Sequence, residues 1–148
     1  NLPVGFAFGA SWNPNAHFLA AAELEFRNWS RLDQRFRDTW RMAFGVEAIP
    51  SIDYTSFYIL QLPYRLGFRW EQHYIPTQVG RSSLTYPNGW FITGGMGIPI
   101  GHRIGQIDYS YEYGMRGSLG ENLAREKVWR HTISVVGWER WFVRHPRR

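Results

Sequence analysis

IGQIDYSYEYGMR, residues 104–116, is the stretch whose reading decides the fold. Taken alternately, one side carries Ile107, Tyr109, Tyr111, Tyr113 and Met115. The other carries Gln106, Asp108, Ser110, Glu112, Gly114 and Arg116. Successive side chains of a β-strand point to opposite faces, so the stretch reads as a strand with one apolar and one charged face. Wound as a helix, the same residues scatter around the cylinder and leave no clean face.

The alternation recurs on both sides of this stretch. Val4, Phe6, Phe8, Ala10 and Trp12 are interleaved with small residues, and Asn13-Pro14-Asn15 follows as a turn signal. Phe18, Ala20, Ala22, Leu24 and Phe26 alternate with Glu23, Glu25 and Arg27. Beyond a polar loop from Ser30 to Asp38, Trp40, Met42, Phe44, Val46 and Ala48 alternate with Arg41, Gly45 and Glu47. Pro50 to Tyr54 reads as a short turn before Leu62, Tyr64, Leu66, Phe68 and Trp70, set against Arg65, Gly67, Arg69 and Glu71. His73 to Asn88 loses the pattern. Trp90 to Ile100 is glycine-rich and alternates weakly, Gly101-His102 makes a short turn, and Gly117 to Glu126 reads as a loop. The last strand runs from Val128 to Phe142, with a bulge expected near Trp138.

The reading is all-β: about seven antiparallel, up-and-down strands of roughly 10–14 residues, longer than soluble strands usually are. Short turns alternating with longer loops are the pattern of a transmembrane β-barrel in a bacterial outer membrane. Residues 1–143 form the barrel segment and 144–148 a basic tail. The chain opens at Asn1 with no basic-plus-apolar leader, which reads as a processed chain or part of one.

Composition agrees. The 148 residues include eight Trp and fifteen Gly but no Cys, which excludes a disulfide framework and a thiolate metal site. A net charge of +5, partly in the tail Arg144, His145, Arg147 and Arg148, is too mild for a nucleic-acid partner. No apolar run reaches the roughly 18 residues of a membrane helix.

Periodicity alone leaves two architectures open. A lipocalin-like barrel has its apolar face inside; a membrane barrel is the inverse. Strand length favours the membrane, since about 9–11 tilted residues span a bilayer. So do aromatic residues near strand ends, among them Trp12, Trp29, Trp40, Trp70, Trp90 and Trp129. The amount of Phe, Tyr and Trp on the apolar face also exceeds what one small lumen holds.

On this reading Glu23, Glu25, Arg27, Arg41, Glu47, Arg65, Arg69, Glu71, Asp108, Glu112 and Arg116 face the lumen. Acids and bases nearly balance, which suits cross-strand pairs that fill the interior better than an ion-selective path. Thr93, Gly95 and Gly97 offer little bulk there, leaving room for a ligand or letting the sheet bend.

Several segments together resemble the C-terminal half of the FadL-type long-chain fatty-acid transporters, especially the Bacteroidetes-like form. They include Phe6-Ala7-Phe8, Phe26 to Ser30, Trp40 to Glu47, Tyr64 to Phe68, Thr93 to Pro99, Glu112 to Gly117 and Glu139 to Phe142. The resemblance implies a barrel of about 14 strands, half of it present, preceded by a plug. It also implies passive uptake of fatty acids or other hydrophobic molecules. Tyr74, Ile75, Arg81 and Tyr86 would be the ligand-contacting loop residues, the alternative being an ordinary external loop, and Trp141 and Phe142 an assembly signal. Membrane lipid and a hydrophobic small molecule are the expected partners, with other outer-membrane or periplasmic proteins beside them.

Three alternatives stand against uptake. One is a structural or secretion-associated outer-membrane subunit. A second is an outer-membrane enzyme, but His17, His73, His102, His131 and His145 are scattered and share no signature with Ser or Asp. No catalytic residue, metal ligand set or cofactor is therefore assigned. The third is a soluble lipid-binding barrel.

Overall fold

The computed structural model describes residues 3–53, 55–79, 83–100, 105–117 and 125–137. Among them are β1 (Val4–Asn15), β2 (Phe18–Asn28), β3 (Thr39–Ala48), β4 (Tyr64–Gln72), β5 (Thr77–Val79), β6 (Ser83–Thr85), β7 (Asn88–Ile100), β8 (Gly105–Arg116) and β9 (Glu126–Gly137). Seven strands form one sheet in the order β1-β2-β3-β4-β7-β8-β9, each antiparallel to its neighbours. The sheet is open among the described residues. β5 and β6 pair only with each other, as a small hairpin.

The register carries the sequence alternation across the whole sheet. Ala22, Phe44, Phe68, Ile92, Tyr113 and Trp129 are successive cross-strand partners on one face. Glu25, Arg41 and Glu71 are partners on the other. A one-residue slip of β2, β3, β4, β8 or β9 would throw charges onto the apolar face, so these two-sided strands lock the register. No Asp, Glu or Arg of the seven strands shares the face of Phe44.

The apolar face is not a buried core. Phe44 is 54% exposed and Leu66 64%, whereas the buried apolar residues among those described are Leu62 and Phe91. Phe91 lies on the charged face, opposite Arg69 and Gly114.

Three connections differ from the sequence reading. Asn13-Pro14-Asn15 is not the first turn, because β1 continues to Asn15, which pairs with Phe18 after a register shift beyond Trp12. Pro14 sits on an edge strand, where a missing N–H disturbs no ladder already formed. Pro50 to Tyr54 is not a short turn but the start of a connection reaching Pro63, with a 3-10 turn at Tyr58–Gln61. Leu62 belongs to that connection and is buried, while β4 starts at Tyr64. The stretch without pattern after His73 contains the β5–β6 hairpin, whose three-residue strands are too short to show a period. The expected bulge near Trp138 and the signal at Trp141 and Phe142 lie outside the described residues, as does the tail.

Candidate functional site

The charged face is the candidate site, and its side chains form three groups. On β2 and β3, Glu25 accepts hydrogen bonds from Arg27 and, at 3.3 Å, from Arg41. Near the opposite ends of the strands, Arg65 of β4 donates to Glu47 of β3 and to Asp108 of β8, each at 2.6 Å. Gln106 also donates to Asp108 at 2.6 Å. The third group surrounds Glu112 and Glu71. Arg69 lies 3.2 Å from Glu112 and 3.4 Å from Glu71, Arg130 3.5 Å from Glu112, and Arg116 3.5 Å from Glu71.

The reach from β4 to β8 depends on the strand between them. Arg65 stands opposite Gly95, and Gly97 stands opposite Asp108, so neither glycine obstructs a guanidinium crossing β7. A methyl group at Gly97 would come within 2.5 Å of Gln106 Nε2, 2.8 Å of Pro63 Cγ and 2.9 Å of Asp108 Oδ1. The room at Gly97 is thus filled by the protein's own side chains.

Phe91 and Gly114 form the tightest join on this face. The Phe91 ring, 1% exposed, lies over Gly114. A Cβ at Gly114 would sit 2.2 Å from Phe91 Cδ1. The Arg69 guanidinium stands 4.4 Å from the Phe91 ring centroid, and Glu112 beside it is only 8% exposed. An aromatic ring thus seals the bare backbone of the neighbouring strand and carries a cation on its face. The triplet Trp90-Phe91-Ile92 hides this in the sequence, because three consecutive apolar residues do not say which one turns inward.

Towards the middle of the face, Ala21, Gly45, Gly67 and Thr93 border an open hollow of about 420 Å³, with Glu47, Arg65 and Asp108 on its wall. Glu23 has no ion pair among the described residues.

The loop residues singled out in the sequence hold loops together. Tyr74 stacks on Trp29 with centroids 4.2 Å apart and meets Phe36 edge-on at 5.5 Å. Tyr86 donates to the Arg35 carbonyl at 2.7 Å and lies under the Arg37 guanidinium. Ile75 is exposed, and Arg81 lies outside the described residues. Burial and the nearby Arg116 charge push the His73 imidazole below its ordinary pKa, against the opposing pull of Glu71.

Among the described residues no cluster of three His, Asp or Glu is placed to hold a metal. His17 Nδ1 lies 2.8 Å from the Ile49 carbonyl, and His131 Nδ1 shares a 2.9 Å hydrogen bond with the Tyr109 hydroxyl. The cross-strand ion pairs can stiffen this face of the sheet.

The family model BamG matches residues 1–146 of the chain. No curated protein and no solved structure matches it. The family match overturns the resemblance to FadL-type transporters, and with it the basis for a barrel of about 14 strands and for fatty-acid uptake. The segments that carried the resemblance alternate aromatic, glycine and arginine residues. Many two-sided membrane strands satisfy that demand, so such segments report architecture and not ancestry.

Proposed function

Because the chain belongs to the BamG family, we propose that it is an outer-membrane subunit associated with the Bam assembly machinery, with no catalytic step of its own. Its sheet forms part of a β-barrel wall: the face of Phe44 and Leu66 meets lipid, and the face of Arg65, Arg69 and Glu112 turns to a water-containing interior. The observation carrying this is the separation of chemistry between the two faces. The apolar side keeps large side chains exposed on six of the seven strands and part-exposed on β2, while the charged side is cross-linked by ion pairs. A soluble sheet with this much exposed Phe, Leu and Trp would aggregate; in a bilayer the same surface is matched to its solvent.

Barrel closure belongs to the same reading. β1 and β9 run in the same direction in an antiparallel sheet of seven. Antiparallel closure therefore calls for an odd number of further strands, whichever polypeptide supplies them. An even total follows, as in single-chain bacterial outer-membrane barrels.

Affinity purification of the tagged full-length protein from detergent-solubilised outer membranes tests the assignment. Co-elution of other assembly-machinery subunits in constant ratio is expected. A protein that stays in the membrane fraction but elutes alone would refute the association. One released from membranes by an alkaline wash would refute the barrel.

A further inference from the structure

The connection between β3 and β4 contrasts with the loop between β2 and β3. Residues 49–63 contain one charged residue, Asp53. The loop at residues 29–38 of the opposite rim contains Arg31, Asp33, Arg35, Arg37 and Asp38. Within the β3–β4 connection Phe57, Tyr58, Ile59 and Leu60 are all exposed, Phe57 by 83%.

These side chains are held out by an ordered backbone. Ser51 N–H donates to the Leu60 carbonyl at 2.7 Å, and Leu60 N–H donates to the Phe57 carbonyl at 2.8 Å. Ser51 and Ser56 hydroxyls lie 2.8 Å apart, and Gln61 Nε2 donates to the Ser56 carbonyl at 2.7 Å. Two tyrosines pin the segment to the sheet: Tyr58 OH donates to the Pro99 carbonyl at 3.4 Å, and Tyr64 OH to the Ile59 carbonyl at 2.9 Å. Tyr64 stands on the apolar face, in register with Ala48 and Met96. The exposed segment is therefore joined directly to the end of that face.

We propose that Phe57 to Leu60 form a lipid anchor, seated in the interfacial layer of the bilayer at this rim; the inference rests on the membrane reading of the sheet above. Continuity with the apolar face points to lipid. So does the lack of any charge between Tyr54 and Tyr64, which leaves nothing for a water-facing or complementary charged surface to recognise. The loop also meets the condition for entering a low-dielectric layer, because hydrogen bonds within the loop and from Tyr64 take up polar groups around the turn. Aromatic side chains with a polar tip gather at this depth, where one end is apolar and the other wet.

These 148 residues contain no cysteine, so an introduced one is a unique label within them. The full-length chain carrying Ile59→Cys, Phe44→Cys or Arg31→Cys is labelled with a small fluorophore and reconstituted in phosphatidylcholine vesicles. The lipids bear a doxyl quencher either near the head group or deep in the acyl chain. The label at 59 is expected to lose emission several-fold with the shallow quencher, that at 44 with the deep one, and that at 31 with neither. Quenching at 44 without quenching at 59 would overturn the anchor and leave the membrane reading standing. Protection of position 59 by a co-purifying protein would then assign the patch to protein docking. Quenching at neither 44 nor 59 would overturn both.

Discussion

The charged face is built in two ways. Around Phe91, across β4, β7 and β8, it is filled: Arg69, Glu112 and Arg116 gather about the ring. On β1 the same face holds Gly5, Ala7, Gly9 and Ser11, and Glu23 beside Gly9 has no ion pair among the described residues. The alternation is equally regular in both regions, so it decides only which way a side chain points. Filling depends on a second feature, an apolar ring laid over a bare glycine on the next strand, as Phe91 lies over Gly114. Gly5 and Gly9 stand beside Arg27 and Glu23 instead, and no ring closes over either. The β1 half leaves space over its outer edge for side chains of a neighbouring strand.

The difference predicts unequal responses to matched substitutions. Phe91→Ala should have the largest effect, about 3–5 kcal/mol by thermal unfolding in detergent, since Phe91 is the one fully enclosed large side chain among the described residues. Ser11→Ala, on the same face of β1, should change little under the same conditions, because that position is exposed. Next is Gly114→Val, expected to cost about 1–3 kcal/mol because its Cβ would meet both the Phe91 ring and, at 2.6 Å, the Trp90 carbonyl. Gly9→Val should stay within about 0.5 kcal/mol, its nearest neighbour being the Ala22 carbonyl at 3.6 Å. Equal losses at positions 114 and 9 would erase the distinction between the two halves.

Charge removal should show the same asymmetry more weakly. Glu112→Gln takes an acceptor from Arg69 and Arg130, and a loss of about 1 kcal/mol in chemical unfolding is expected, limited by the exposure of Arg130. Glu23→Gln should be silent.

The smallest effect concerns pH at the rim. His73 has its pKa lowered in the folded protein, so folding favours the neutral ring. Its stabilising contribution is present above the unfolded value of about 6.5 and is lost as pH falls through the lower folded value. His73→Gln should flatten that part of the stability-against-pH curve; an unchanged slope would remove His73 as its source.

The faces were legible in the sequence because a period of two is a local property, readable wherever a strand carries enough residues. Glu25, Arg65 and Glu112 could be placed on one side from spacing alone. Their partners were not readable: Arg65 and Asp108 are far apart in the chain and meet only because β7 lies between their strands with glycine at the crossing. Gly114 looks like a spacer until Phe91 is seen over it. The segment Ile59 to Leu62 imitates a strand start, since its apolar residues run into Tyr64. A hydrogen-bonded turn closed by serines and a glutamine is invisible to hydropathy patterning. Family was the least legible of all, because arrangements of Phe, Gly and Arg suited to a membrane wall recur without common descent.

The most direct measurement places nitroxide labels singly along β3 of the full-length protein in lipid bilayers, at Met42, Ala43, Phe44, Gly45 and Val46. Each label's relaxation is then compared with dissolved oxygen and with a water-soluble nickel chelate. The account predicts strict alternation, with 42, 44 and 46 favouring oxygen and 43 and 45 favouring the chelate. Labels at 42, 44 and 46 screened from both reagents would place the apolar face inside a closed core and contradict it.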